Sequence, residues 1–347
     1  MSHTARNSRG FRRAGYRDVI EGAGTGAFGA LDDQESIRRD HELLGAFTVT
    51  FHGVRGSTPC QGDEVVRYGG NTSCVSVDVP GHDPILFDLG TGARYFGEAW
   101  PADVPFRGTC LLSHAHWDHI QGLPFFPPIL RDNGAQLDIY APDQEPGQIH
   151  PSVESAGPVS VADVVAAMLC PPLFPVGLDA FPGAVEFHTV GEGRFTLGGS
   201  IDSGPVQVTA RLIPHIGNTL GFRIEWGGHS VAYISDHQQP SATDFSIADG
   251  VRELAQGVDL LIHDAQYTTP EFEQRSTWGH STVEYAVWVA KECGVSALAL
   301  FHHDPTHTDD QIDRLVASAC MCAPEIEIIG AREGLTVDLA AIARART

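Results

Sequence analysis

The stretch Leu111-Leu112-Ser113-His114-Ala115-His116-Trp117-Asp118-His119 runs an apolar, strand-like segment straight into four side chains able to bind metal within six residues. Histidines two apart on extended backbone point to the same side, so His114 and His116 can grip one ion. The turn that follows can swing Asp118 and His119 toward a second. One short loop then serves two ions, a density of ligands that solvated loop histidines do not explain.

A dinuclear site needs further ligands at other strand ends, and four segments offer them. Phe87-Asp88-Leu89-Gly90 places an aspartate where a strand breaks into glycine. Arg211-Leu212-Ile213-Pro214-His215 and Ala297-Leu298-Ala299-Leu300-Phe301-His302 end apolar runs on histidines, and Val231-Ala232-Tyr233-Ile234-Ser235-Asp236 ends one on an aspartate. Together with the central loop these give three His and an Asp for one ion, and Asp, His, His and the shared Asp for the other. Nitrogen and carboxylate donors in these numbers suit divalent cations, Zn²⁺ first and Mn²⁺ as the alternative. His302 is preferred to the adjacent His303 because Leu298, Leu300 and His302 alternate onto one strand face. His303, Asp304 and His307 fall in a loop before a helix capped by Thr308 and Gln311, with roles in the site or in the loop both open.

The order Asp88, His114-x-His116-x-Asp118-His119, His215, Asp236, His302 resembles the metallo-β-lactamase superfamily over roughly residues 47 to 335. Gly53-Val54-Arg55-Gly56-Ser57, Gly69-Gly70-Asn71-Thr72-Ser73, Ile262-His263-Asp264-Ala265 and Gly279-His280-Ser281-Thr282 are similar to its phosphodiesterase branch, which includes ribonuclease Z and the cyclic phosphodiesterases. The resemblance implies an α/β (α+β) fold, a four-layer αββα sandwich with metals at one edge of the paired sheets. It implies that His114, His116 and His215 hold one zinc, that Asp118, His119 and His302 hold the second, and that Asp236 bridges. Asp88 would orient the central loop by hydrogen bonding. Asp264 and His280 would form a catalytic pair with His280 as general acid, and Asp118 would serve both as ligand and as proton acceptor. The implied chemistry is hydrolysis of a phosphodiester by a metal-bridging hydroxide. His280 also has a local argument: Ser281 and Glu284 read as a capping box for a helix from Thr282 to Cys293, which would hold the preceding side chain rigidly.

The rest of the chain narrows the substrate. With 22 Lys and Arg against 44 Asp and Glu the net charge is −22, which disfavours broad binding to nucleic acid or anionic membrane. Ribonuclease Z enzymes carry a long tRNA-gripping arm between the equivalents of His215 and Asp236, and here only 21 positions separate the two. A small phosphodiester, such as a cyclic nucleotide or cyclic ribose phosphate, is therefore the first expectation. A lactonase or thioesterase of the same fold, a ribonuclease Z-like nuclease without the arm, and a non-enzymatic effector with a relic site are the alternatives. Trp117, Phe125 and Phe126 beside the central loop could stack a ring or simply pack.

Residues 1–45 read as a polar extension with Arg6, Arg9, Arg12, Arg13 and Arg17 ahead of a hydrolase domain spanning 46–347. Apolar alternation begins at Phe47, with FTVTFHGV, SCVSVDV and PILFDLG as strands, and SIADGVRELAQG and STVEYAVWVAKECG as later helices. Residues 121 to 195, rich in Pro and Gly, read as long loops with one helix near Val161 to Leu169. Seven scattered cysteines suggest reduced thiols and a cytoplasmic protein, Cys320 and Cys322 being assigned to helix-end packing. No stretch of about 18 apolar residues suggests a membrane span. A homodimer is left open.

Overall fold

The computed structural model describes residues 45–144, 158–198, 203–243 and 245–345. The expected extension, apart from Gly45, lies outside the described residues. Strands β1 (Thr48–Gly53), β2 (Cys74–Asp78), β3 (Ile85–Phe87), β4 (Arg107–Leu111), β5 (Gln136–Ala141) and β6 (Ala184–Thr189) form one sheet with β14 (Thr336–Asp338), in the order β14-β1-β2-β3-β4-β5-β6. Strands β7 (Gly193–Leu197), β8 (Val206–Leu212), β9 (Leu220–Trp226), β10 (His229–Ile234), β11 (Leu260–Asp264), β12 (Ala297–Phe301) and β13 (Glu327–Gly330) form the second, in the order β13-β12-β11-β10-β9-β8-β7.

Side-chain alternation turns these sheets into four layers. Phe51, Val75, Phe87 and Leu111 from the first sheet meet Phe222, Tyr233, Ile262 and Phe301 from the second in a shared core. The intervening residues face outward. Leu86, Cys110, Ile139 and Leu112 pack under helices α1 (Gly92–Ala99), α2 (Trp117–Ile120) and α3 (Val161–Met168). Ala232, Leu261, Leu298 and Leu300 pack under α4 (Asp249–Ala255), α6 (Val283–Glu292) and α7 (Asp309–Cys322). Both faces of each central strand are therefore apolar, as the near-continuous runs LLIH and ALALF require. Burying each such large apolar side chain stabilises the fold by about 1.5–3 kcal/mol, which fixes the register of the strand ends. Among the described residues two further α-helices follow, α5 (Thr269–Arg275) and α8 (Leu339–Ala345).

Three expectations need correction. The Pro-rich region 121–195 contains β5, β6 and the start of β7 as well as α3. Pro127 and Pro128 open a short 3-10 turn, Pro171-Pro172 and Pro182-Gly183 fall between elements, and these breakers outweigh the short alternation of Gln136–Ala141. The N-cap of α6 is Thr282, whose side chain accepts from the Tyr285 amide, while Ser281 donates its hydroxyl to the His237 carbonyl. Cys320 and Cys322 are exposed on the last turn of α7, so they do not pack there. The Thr308 and Gln311 capping box is present at the start of α7. All seven cysteines are free, and among the described residues no helix is long and apolar enough to cross a membrane.

Candidate active site

The site stands at one edge of the sandwich because the strands of both sheets end there. The central loop leaves β4, the strand-end residues Asp236 and His302 leave β10 and β12, and His215 follows β8. Ligand-type atoms of His114, His116, His215 and Asp236 lie within 4.8 Å of one another. So do those of Asp118, His119, Asp236 and His302, and those of Asp236, Asp264, His280 and His302. Every residue expected from the sequence is thus drawn into one contiguous cluster, with Asp236 common to all three groups.

Four of the imidazoles are oriented in the same way. His119 directs Nδ1 to Asp88 Oδ2 at 2.7 Å, His215 directs Nδ1 to the Gly279 carbonyl at 2.8 Å, and His114 directs Nδ1 to Ser113 Oγ at 3.0 Å. His302 Nδ1 faces Ser73 Oγ at 3.1 Å. A proton on Nδ1 leaves the Nε2 lone pair of each ring facing inward. His116 presents Nδ1 instead, 2.7 Å from His114 Nε2 and 3.1 Å from His215 Nε2. Imidazole nitrogens converging on nitrogens gain little from one another. Around a tetrahedral zinc, with Zn–N near 2.0–2.1 Å, they would stand about 3.3 Å apart, so a small shift accommodates an ion. His119 Nε2 and His302 Nε2 are buried without a hydrogen-bond partner, at 3.2 and 3.3 Å from Asp236 Oδ1. A buried orphan nitrogen aimed at a carboxylate is the mark of a position for a cation.

Charge tells the same story. Asp118 and Asp236 are buried, and among the described residues their ion-pair partners are all histidines. Burial opposes ionisation of Asp236, but His119, His302 and His114 outweigh it and hold the carboxyl well below its ordinary range. Burial likewise opposes protonation of His119, yet Asp236, Asp118 and Asp88 overcome it and push that imidazole well above its usual value. His215, by contrast, is pushed down to about 4 by burial.

Asp88 acts as the sequence suggested. Its Oδ1 accepts the Ser113 amide at 2.7 Å, and its Oδ2 accepts the Ser113 hydroxyl at 2.9 Å and the His119 ring. The sequence reading missed Tyr233, whose hydroxyl donates to Asp88 Oδ2 at 2.6 Å while its ring stacks on Phe87 at 4.7 Å. Its place on a buried strand read only as core.

Backbone strain concentrates here. Ser57, Asp88, Asp236 and His302 have φ of 58°, 58°, 55° and 59°, and they are the positive-φ non-glycine residues among those described. Asp and His tolerate this region better than branched residues, and each instance costs about 1–3 kcal/mol that the surrounding packing must offset. This corrects the reasoning for His302. Strand β12 ends at Phe301, and Leu298 and Leu300 face the helical layer, so it is the left-handed turn at His302, not strand alternation, that carries its ring into the cluster. His303 turns away, with Nε2 facing the Ala331 carbonyl at 2.9 Å. Asp304 accepts Arg275 at 2.9 Å and His307 pairs with Glu271 at 2.8 Å, so both tie the loop to α5.

Beside the second group, His280 Nδ1 meets Asp264 Oδ2 at 2.7 Å, both residues buried. The Ser281 amide donates to Asp264 Oδ1 at 2.9 Å, which fixes the carboxylate plane. Burial opposes protonation of His280, but Asp264 more than offsets it, and the pKa lies above the ordinary histidine value. A pair of histidines missed in the sequence backs this arrangement: His237 Nδ1 lies 3.0 Å from His263 Nε2, and His263 Nδ1 faces the Asp264 carbonyl at 2.7 Å. Each immediately neighbours a site residue, which is the signal the sequence carried.

A family model described as the beta-lactamase superfamily domain matches residues 85–303, well over half of the chain. The chain is similar to a protein named ribonuclease Z from Synechococcus sp., 28% identical over 331 residues, covering 84% of this chain and 98% of that one. Its structure is similar to that of the human tRNase Z short form, with a TM-score of 0.56 at 20% identity over 84% of this chain and 99% of that one. It is also similar to the metallo-beta-lactamase fold protein YhfI from Bacillus subtilis, with a TM-score of 0.57 at 20% identity and the same two coverages.

Proposed function

From the premise that the chain belongs to the beta-lactamase superfamily and is a metal-dependent hydrolase, we propose that it is a dinuclear phosphodiesterase acting on a small, cyclic phosphodiester. The carrying observation is the shared geometry: two four-residue groups joined at Asp236, with the His280 and Asp264 pair set against the second. His114, His116 and His215 would hold one divalent ion, Asp118, His119 and His302 the other, with Asp236 between them and zinc suited to the donors. When bound, the ions supply Lewis acidity and a water nucleophile at neutral pH.

The chain's own residues do the remainder. Asp118 Oδ2, held by the Ser57 amide at 2.8 Å, is placed to receive a proton from the attacking water. His280, with Nδ1 committed to Asp264, carries its second proton on Nε2 and delivers it to the departing alkoxide oxygen. Tyr233, Ser113 and Asp88 keep the central loop from rearranging as charge shifts.

A second reading, cleavage of RNA, is favoured by the printed names of the relatives. Against it, the interval between His215 and Asp236 is filled by the β9–β10 hairpin, which turns on Gly227 and Gly228 at φ 58° and 84° and leaves no arm. The test measures metal content by elemental analysis, and hydrolysis of bis-p-nitrophenyl phosphate, cyclic nucleotides, a lactone and a tRNA precursor with and without added zinc or manganese. Two ions per chain and turnover of the cyclic diesters are expected. Turnover confined to the lactone, or to the tRNA precursor, would overturn the proposal.

A further inference from the structure

His116 Nδ1 lies 3.1 Å from His215 Nε2, and His215 Nδ1 lies 2.8 Å from the Gly279 carbonyl. Trp117 follows the first of these residues, Ile216 follows the second and Trp278 precedes the third. Consecutive Cα atoms are about 3.8 Å apart, so Trp117, Ile216 and Trp278 each lie one residue from one of these contacts beside the first ligand group. All three are exposed, by 60%, 55% and 59%. Single exposed apolar residues are ordinary on a protein surface. These three each adjoin a residue of that contact chain, and two are tryptophans, whereas Trp100, Trp226 and Trp288 each pack against a core.

Trp278 is also held. The Arg275 guanidinium lies 5.4 Å from its ring centroid and the same distance from that of Tyr267, and Asp304 fixes Arg275 at 2.9 Å. Tyr267 in turn sets its ring at 87° to that of His280. One face of the indole is thus covered by a cation locked in place, and the ring is presented to solvent within two residues of His280.

Resting on the phosphodiesterase reading, we infer that Trp117, Ile216 and Trp278 form a stacking rim that selects diesters carrying a planar aromatic group on an ester substituent of the phosphorus. A nucleobase joined through ribose, or an aryl ring, has that shape. A chain of net charge −22 does not draw a phosphate by its overall field, so stacking would supply affinity and selectivity that bulk electrostatics withholds.

The test follows quenching of tryptophan emission in the metal-loaded protein titrated with adenosine 5′-monophosphate, phenyl phosphate and ribose 5-phosphate. Hydrolysis of 2′,3′-cyclic AMP and of a base-free cyclic ribose phosphate is measured in parallel. At least one aromatic ligand is expected to bind more tightly than ribose 5-phosphate, and which of the two does so separates a base from an aryl source. Trp117→Ala and Trp278→Ala should each weaken that ligand on the order of tenfold and leave ribose 5-phosphate unchanged, while Trp117→Phe retains most of the binding. Equal affinity for all three ligands, or equal loss for all three in the variants, overturns the rim. Hydrolysis of both cyclic diesters without preference overturns it while sparing the phosphodiesterase reading. Aromatic-selective binding with no diester hydrolysed does the reverse.

Discussion

At the scale of single residues, the two buried carboxylate–histidine contacts of the site are set up for different tasks. Asp88 binds His119 Nδ1 and leaves its Nε2 facing two carboxylates, as a metal ligand requires. Asp264 binds His280 Nδ1 and raises the imidazole pKa, as a proton donor requires. His280→Ala should therefore keep its metal yet lose roughly 10²–10⁴-fold in kcat on a diester with a poor alkoxide leaving group. The loss should shrink with p-nitrophenolate, which departs without a proton. Because a general acid works only while protonated, wild-type kcat on the poor leaving group should fall as pH rises through the His280 pKa, which Asp264 raises, and the p-nitrophenyl ester should lack that limb. Equal losses on both esters would assign His280 to binding instead.

At the scale of elements, the site is assembled from strand ends that close approach holds together. Gly279, at φ 97°, lies against the His215 ring, and a Cβ built there would come within 2.4 Å of its Cε1 and Nδ1. That residue combines a backbone conformation costly to others with a space that admits no side chain. Gly279→Ala should thus displace His215, lowering zinc content toward one ion per chain with only a modest change in far-ultraviolet circular dichroism. Full metal content in that variant would mean that His215 is not a ligand. The hairpin of β9 and β10, which turns on Gly227 and Gly228, was not anticipated in that short interval, and β5 and β6 were hidden by flanking prolines.

At the scale of the whole molecule, the central loop comes from one sheet and His215, Asp236 and His302 from the other, so ions held as proposed would bridge the two halves of the sandwich. A ligand that binds only the folded state stabilises by mass action, about 4 kcal/mol at a thousandfold excess over its Kd. Chelation should lower the Tm, and Asp236→Ala should lower it comparably, lose both ions and become insensitive to chelator. A chelator response as large as that of the wild type would remove Asp236 from the centre. Acid should act separately, through His303, which burial pushes down to about 3. Its folded pKa is below the unfolded value near 6.5, so the unfolded chain binds the extra proton, and stability falls as pH drops from 6.5 toward 3. In chelated protein, the slope of Tm against pH over that window should be shallower in His303→Gln.

How much of this was written in the sequence follows from which interactions are local. The central loop, the apolar strands that precede Asp88, Asp236 and His302, and the capped helix after Thr308 depend on neighbours within a few residues, and all were legible there. The αββα layering was implied by the family resemblance, whereas alternation and apolar runs by themselves indicated only a mixture of strands and helices. Tyr233, His237 and His263 were not legible as site residues, since each is made functional by partners 145, 26 and 26 positions away. The choice of His302 over His303 rests on a left-handed turn that strand periodicity cannot express. The exposure of Trp117 and Trp278 was equally invisible. Sequence specifies what a residue can do, but whether an indole is packed or presented is settled only by which surfaces the two sheets leave uncovered when they close on their common core.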